Sequence, residues 1–470
     1  MLVASRDISA LEVVLVDQAA VLGPSHETEA VCPGCLARVD GSLRCDLCDL
    51  PCCSEACSRS ARHQPECRVF GAMEPRPQVK MGARCHEYSC VTPLRLLSVR
   101  EEQPEVWRRL ELLMDHREER VKEQDYWRMM QKNVVDFLRI KGGLADTFSE
   151  EDVHRAVGIL RTNAFTIEHP YMTAQGTSGR AVFPTFSFLS HSCLANTRVT
   201  VDQEDILTLR AQRDIRQGEE ITVQYISFLF DNTRRRKEIR QYWMFECSCA
   251  RCCDPTELGT LLSGHLCQRC GGTSLPSHPG IDCPTYSCQA CGDMVPVEQM
   301  AAVVRECERQ MQDTYGTQTE KYRQMVEKFS ALLHPGHAQL LILGFYLAKS
   351  LRGRLTLEEM EERVHLQQVF LRVFERLDQG LTCWRGKILT DTCRLRLVVA
   401  DARAAGEEGA REGLRKELEE CVPLLREAIM SLEPEPEGSE EHRAAVQARA
   451  CLGQALELRE VLSMAASKTV

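Results

Sequence analysis

At 470 residues the chain has room for about three domains of ordinary size, which excludes a single small module. Its 58 basic and 68 acidic side chains leave a net charge of -10, with no basic excess on either side of residue 300, so DNA and RNA are not expected partners. The longest apolar run, residues 340–348, is far short of the roughly 20 residues a membrane helix needs, and the N-terminus lacks a secretory pattern; the expectation is a soluble monomer of the cytoplasm or nucleus, away from membranes.

The chain opens with an apolar, β-branched stretch at residues 11–15, closed by Gly23-Pro24, which reads as a short strand or hairpin. Cysteine then takes over: of 25 cysteines, 20 lie between Cys32 and Cys291, mostly as Cys-x2-Cys pairs. In a reducing compartment that spacing turns two thiolates toward one tetrahedral Zn2+ rather than into a disulfide framework. Cys32, Cys35, Cys45, Cys48, Cys53, Cys57, His63 and Cys67 supply seven sulfurs and one imidazole, two complete sites in a stretch too short to bury a core. Cys52 adjoins Cys53, and either sulfur fits the spacing. Apolar residues with helical period follow over residues 104–140, and Ser149 with Asp152 reads as a capping box opening another helix.

From Asn163 the sequence changes character. Asn163-x-Phe165-x-Ile167 leads to Ser190-His191-Ser192-Cys193, strand-like residues 197–201 and 206–209, then Gly218-Glu219-Glu220 ahead of Tyr225, and finally Cys247-x-Cys249-x2-Cys252. Three sulfurs need a fourth ligand, and Cys193 is available. A zinc shared by Cys193, Cys247, Cys249 and Cys252 would staple the His191 segment to the one after Tyr225. Cys267-x2-Cys270 and Cys288-x2-Cys291, separated by 17 residues, read as a zinc ribbon, for three to four Zn2+ in all. Cys52, Cys85, Cys90, Cys253 and Cys283 are left as buried or spare thiols. Beyond residue 300 the helical period continues as helix pairs, interrupted at Pro434-Glu435-Pro436-Glu437-Gly438.

This combination resembles the SET and MYND (SMYD) family of protein lysine methyltransferases, and is most similar to its arthropod branch. The likeness rests on the interleaved cysteine pairs at 32–67, the Asn163-x-Phe165-x-Ile167 and His191-Ser192-Cys193 motifs, the Gly218 to Tyr225 region and the cysteine cluster after it. The resemblance implies an α+β fold: the N-terminal part of a SET domain at 1–31, an inserted MYND zinc finger at 32–67, a helical insert at 68–160 and the core of the β-rich SET domain at 161–230. A post-SET zinc cluster at 231–253, a zinc-ribbon-like segment at 254–299 and an all-helical, TPR-like C-terminal domain at 300–470 would complete it. It further implies that Cys32, Cys35, Cys53 and Cys57 hold one ion and Cys45, Cys48, His63 and Cys67 the other, with a proline-rich peptide docking on the finger. S-adenosylmethionine would bind beside Asn163, Ser190, His191 and Tyr225. Tyr225 would be the catalytic residue beside the transferred methyl, with Phe245 in an aromatic wall. The substrate would be a lysine of a histone or another protein, its neutral amine attacking in line, so that alignment and exclusion of water outweigh any acid/base pair.

Three features depart from the family pattern. Its SET domain begins with a Gly-x-Gly turn whose backbone approaches the cofactor, whereas this chain starts at Met1-Leu2-Val3-Ala4-Ser5, similar to the sequence just after that turn. Either the start is truncated or part of the cofactor pocket is lost. Ser190 stands where the family has asparagine; losing the amide is expected to weaken cofactor binding by about 1–3 kcal/mol if a buried partner goes unpaired. Trp243 takes the place of a usual tyrosine, with Tyr242 one residue earlier, and a one-residue shift and a real exchange both fit. The alternative reading is a zinc-binding scaffold that holds protein partners with a weakened cofactor site.

Overall fold

The computed structural model describes residues 2–26, 28–167, 179–280, 282–314, 318–404 and 408–467. The chain enters as β1 (Leu2–Val3), β2 (Val13–Gln18) and β3 (Val21–Pro24), leaves the sheets for some 140 residues, and returns as β4 (Phe165–Ile167), β5 (Gly179–Val182), β6 (Ser190–His191), β7 (Thr197–Val201), β8 (Ile206–Ala211) and β9 (Glu220–Val223). Three small sheets result, ordered β1-β9-β6, β2-β8-β7 and β3-β5-β4. β7 and β8 are β-branched or leucine-rich, and Leu207, Leu209 and Ala211 alternate into the core, the period of a half-buried strand.

Of the short strand or hairpin expected near residue 11, the strand forms as β2 and the hairpin does not. β2 and β3 are separated only by Ala19 and Ala20, yet β2 pairs with β8 and β3 with β5, because each finds its partner beyond the insertion. Leu11 turns in the left-handed region at φ 69°, so the strand begins two residues later, at Val13. Gly23, expected to close the segment, instead lies inside β3 opposite Arg180. Thr92 is so close there that a Cβ would lie 2.5 Å from its Oγ1.

Within the insertion, α1 (Glu55–Ser58) and α2 (Gln64–Gly71) accompany the cysteine pairs, and α3 (Tyr88–Glu102) is buried on almost every face. The amphipathic helical stretch expected over 104–140 runs as α4 (Pro104–Leu110), α5 (Arg117–Arg120) and α6 (Gln124–Met130), the last continuing as wide π turns to Lys141. Residues 115–119 offer no apolar side chain to a core, and His116 turns left-handed at φ 49°. α7 (Glu150–Asn163) opens on a capping box: Ser149 Oγ accepts from Asp152 N at 3.1 Å, and Asp152 Oδ2 accepts from Ser149 N at 2.9 Å.

After β9 come α8 (Asn232–Trp243) and α9 (Ala250–Cys253), then an antiparallel four-stranded sheet of β10 (His265–Leu266), β11 (Thr273–Pro276), β12 (Thr285–Cys288) and β13 (Met294–Pro296). The rest is helical: α10 (Val297–Gln312), α11 (Thr319–Ser330), α12 (Ala338–Ser350), α13 (Leu357–Leu377), α14 (Cys383–Ala404), α15 (Glu408–Leu432) and α16 (Glu440–Ser467), with sequential neighbours packed from α11 to α16. This layer docks on the second sheet. Arg198 in β7 donates to Ser431 O at 2.6 Å, and Thr200 Oγ1 to Glu435 at 2.8 Å. Gly380 passes so near Gln212 that a Cβ would meet its carbonyl oxygen at 2.1 Å. Among the described residues no helix is long and apolar enough to cross a membrane.

Candidate active site and metal centres

Four of the Cys-x2-Cys pairs share one backbone device. Cys32 N bonds Ala37 O and Leu36 N bonds Cys32 O; the same two bonds recur from Cys45 to Leu50 and Asp49, from Cys267 to Gly272 and Gly271, and from Cys288 to Asp293 and Gly292. Each loop needs a left-handed residue at its fifth position, and Leu36, Asp49, Gly271 and Gly292 all have φ between 62° and 72°. The turn leaves both thiols facing one point.

The ligand atoms converge in four sets, each within 4.8 Å of one another: Cys32, Cys35, Cys53 and Cys57; Cys45, Cys48, His63 and Cys67; Cys193, Cys247, Cys249 and Cys252; and Cys267, Cys270, Cys288 and Cys291. Sulfurs about 2.3 Å from one ion at tetrahedral corners lie about 3.8 Å apart. The separations fit: Cys53 to Cys57 3.5 Å, Cys45 to Cys67 3.5 Å, Cys193 to Cys252 3.5 Å and Cys267 to Cys291 3.8 Å. No cysteine is in a disulfide. All-sulfur and sulfur–imidazole sets of this shape suit Zn2+. Between the adjacent candidates, Cys53 joins the first set, while Cys52 is buried with its thiol toward Leu50 O at 3.6 Å.

In the second set His63 turns Nε2 to Cys48 at 3.4 Å and Nδ1 to Glu66 Oε1 at 2.9 Å. The fully buried carboxylate thereby fixes which nitrogen faces the ion. Arg95 closes the arrangement, binding Glu66 and also Leu22 O at 2.6 Å and Pro33 O at 2.8 Å, so one guanidinium ties the finger to β3. The sequence reading missed both residues, although a Glu three positions after a ligand histidine is a usable signal.

The third set builds the candidate active site. β6 lies parallel against β9, with Ser190 opposite Thr222 and His191 opposite Val223, so Cys193 just beyond β6 sits beside the strand that leads into Tyr225. The shared cysteine set then pulls in the segment after α8. Around Tyr225 gather Trp243, with ring centroids 5.2 Å apart, and His191, also at 5.2 Å; Phe245 lies 6.2 Å from His191. Tyr242 is instead half exposed, beside Arg161. Trp243 is therefore the cage member, which decides between the two alignments left open by the sequence.

His191 is engaged at both ring nitrogens. Nδ1 accepts the Tyr225 backbone N–H at 3.0 Å, which puts the proton on Nε2, and Nε2–H donates to Cys193 Sγ at 3.2 Å. Burial pushes its pKa down to about 4, keeping the ring neutral. The imidazole thus links a metal-set thiol to the tyrosine backbone and has no nitrogen left for a cofactor. Tyr225 Oη donates to Leu189 O. Burial pushes its pKa up to about 12, so the phenol keeps its proton and cannot act as a general base near neutral pH. Ser190 is half-buried next to His191. Asn163 points its amide elsewhere: Nδ2 donates to Met114 O at 2.8 Å and Ile159 O at 2.9 Å. Its backbone oxygen accepts from Ser187 Oγ at 3.4 Å, three residues before β6.

A buried charge cluster braces the cage from behind. Arg235 in α8, Arg251 in α9 and Glu257 are all 0% exposed. Both arginines bind Glu257 and Phe230 O, and Arg235 also reaches Cys252 Sγ at 3.7 Å. Two buried cations beside four thiols offset the negative charge of a metal thiolate centre. Nothing local in the run Arg234-Arg235-Arg236-Lys237 sets the fully buried Arg235 and the buried Arg236 apart from half-buried Arg234 and exposed Lys237.

Electron-rich ring faces attract a cation, and Tyr225 Oη with Leu189 O offers oxygens to polarised C–H groups. The SET domain family matches residues 1–226. The chain is 31% identical over 307 residues to the SET domain-containing protein SmydA-8, isoform A, of Drosophila melanogaster, covering 63% of this chain and 64% of that one. It is 27% identical over 254 residues to human histone-lysine N-methyltransferase SMYD3, covering 50% and 54%, and 24% identical over 311 residues to histone-lysine N-methyltransferase ASHR1 of Arabidopsis thaliana, covering 61% and 60%. The match thus spans between half and two thirds of the length of these relatives. Residues 1–226 thus match a SET domain, and the chain is similar to SmydA-8 and to methyltransferases of the SMYD type.

Proposed function

We propose that the chain is an S-adenosylmethionine-dependent protein-lysine N-methyltransferase that uses the cage of Tyr225, Trp243, Phe245 and His191. The observation that carries this reading is the convergence of those four rings on strands held together by Cys193, Cys247, Cys249 and Cys252. When bound, S-adenosylmethionine supplies an electrophilic methyl group on sulfur.

Every other requirement falls to the chain's own groups. An ammonium would have to shed its water and approach the positive sulfonium, so a lysine enters as the neutral amine with its lone pair available. Tyr225 cannot take the proton, which therefore leaves to water before the amine enters. Tyr225 Oη and Leu189 O align the reacting groups by weak C–H···O contacts, and His191 fixes the Tyr225 backbone so that this oxygen stays in place. Ser190 and the backbone around Asn163 are proposed to contact the cofactor, and Zn2+ in the four cysteine sets to hold the scaffold. Relatives named as histone-lysine methyltransferases support the substrate class.

Calorimetric titration of S-adenosylmethionine into the zinc-loaded chain tests this reading. Saturable one-to-one binding is expected. No heat at any concentration would leave a zinc-binding scaffold as the better account.

A further inference from the structure

We propose that the large cavity between the four-stranded sheet, α8 and the C-terminal helices receives an acidic segment of the protein whose lysine enters the Tyr225 cage; this rests on the methyl-acceptor reading above. The cavity holds about 1120 Å³ and is lined along α8 and by α10 and α12. It exceeds the roughly 300–1,000 Å³ of most small-molecule pockets, which favours a stretch of polypeptide.

Its charge runs against that of the chain. Overall, acids outnumber bases 68 to 58. In the lining, Arg234, Lys237, Arg305, Lys349 and Arg352 face only Asp231, Glu238 and Glu308. Glu238 and Glu308 are both spent on Arg234, at 2.9 and 3.1 Å. Asp231 is spent as the N-cap of α8. Arg305 reaches Glu298 at 3.8 Å, and among the described residues Lys237, Lys349 and Arg352 have no carboxylate within ion-pair distance. The residual charge is positive, and its complement is a carboxylate-rich segment. RNA, the other polyanion, needs a basic surface reaching well beyond one cavity, which a chain of net charge -10 lacks.

The floor also lacks a partner. His265 is 2% exposed and lines the cavity, and its Nδ1 has no hydrogen bond. It packs edge-on against Tyr286 at 5.2 Å and His337 at 4.9 Å, neither of which satisfies it.

The lining stops one residue short of the cage. Tyr242 lines the cavity, and the next residue, Trp243, stacks near Tyr225. Lys237, the unpaired base on α8, lies six residues before Trp243, about 9 Å at roughly 1.5 Å each. An extended peptide covers that distance in about three residues. Substrates should therefore carry their acidic run beginning about three positions from the lysine.

Fluorescence anisotropy on the zinc-loaded full chain tests the proposal without turnover. The probes are two labelled lysine peptides of equal length, one with Asp/Glu at that spacing and one with Asn/Gln there, and an RNA oligonucleotide of similar length. The acidic peptide should bind at least about tenfold more tightly at low salt, with the gap closing as salt approaches about 0.5 M. The triple exchange Lys237→Glu, Lys349→Glu, Arg352→Glu should abolish the preference at unchanged zinc content. The salt series on the unaltered chain keeps the test sound should that variant not fold. Equal binding of the two peptides, a preference that survives the triple exchange, or tighter binding of the oligonucleotide would overturn the proposal. Acidic preference without methyl transfer would strike the methyltransferase reading; transfer without acidic preference would strike the docking reading alone.

Discussion

Exchanging Glu257 for glutamine should destabilise the segment behind the cage by about 3 kcal/mol. The carboxylate is fully buried and accepts from Arg235, from Arg251 at 3.1 and 2.8 Å, from Ser263 Oγ at 2.6 Å and from the Asn232 backbone at 3.1 Å. Glutamine preserves shape and the bonds to Ser263 and Asn232. It removes the counter-charge of two guanidinium groups that are themselves out of water. Removing one partner of a buried pair typically costs about 3–5 kcal/mol, and the thiolates near Arg235 offset part of it, hence the lower end. The sign with pH follows. Burial raises the Glu257 pKa, but Arg235 and Arg251 pull it down further, so the net shift is below the ordinary 4.5. The carboxylate's stabilisation is then complete above that value and is lost as pH falls through the folded-state pKa; the glutamine variant should lack this acid limb. Urea unfolding, read together with zinc release to a chromophoric chelator, measures both. A loss under about 1 kcal/mol, the value of an exposed ion pair, would refute the reasoning.

Three further outcomes are expected. Ser190→Asn should tighten S-adenosylmethionine by about tenfold in calorimetry, and an unchanged Kd would remove Ser190 from the cofactor site. Loaded with Co2+, the chain should show a thiolate-to-metal absorption band that shifts in His191→Phe, where the Cys193 hydrogen bond is gone, and shifts less in His191→Gln; identical spectra would show that the imidazole does not tune the metal centre. Glu66→Ala should lower zinc affinity at the His63 site by about 10- to 100-fold in a chelator competition while leaving the Cys267 set unchanged, and equal loss at both would indicate general unfolding.

The metal sets were the most readable part of the sequence because a tetrahedral ion fixes ligand spacing, and spacing survives in one dimension. Capping at Ser149 was readable for the same reason, as both partners lie within four residues. What escaped depends on distant partners. β2 and β3 join different sheets because β8 and β5 arrive after the insertion. α3 shows no polar stripe because it is buried on nearly all faces. The helical period over 104–140 was legible from its apolar ends, while the break at the polar stretch 115–119 was not. In the site, the cysteines placed Cys193 beside Cys247, but only ring geometry separates Trp243 from Tyr242. Arg235, Arg251 and Glu257 read as surface charge until their burial is seen.

The account turns on Tyr225, and transfer of a labelled methyl group from S-adenosylmethionine to a lysine peptide examines it most directly. Phenylalanine at position 225 keeps the ring and the cage but removes the oxygen and leaves Leu189 O without its donor. The variant should retain its zinc and its cofactor binding while transfer falls by about 10- to 100-fold, the kinetic equivalent of about 1–3 kcal/mol. Transfer at the unaltered rate, with zinc retained, would contradict the account.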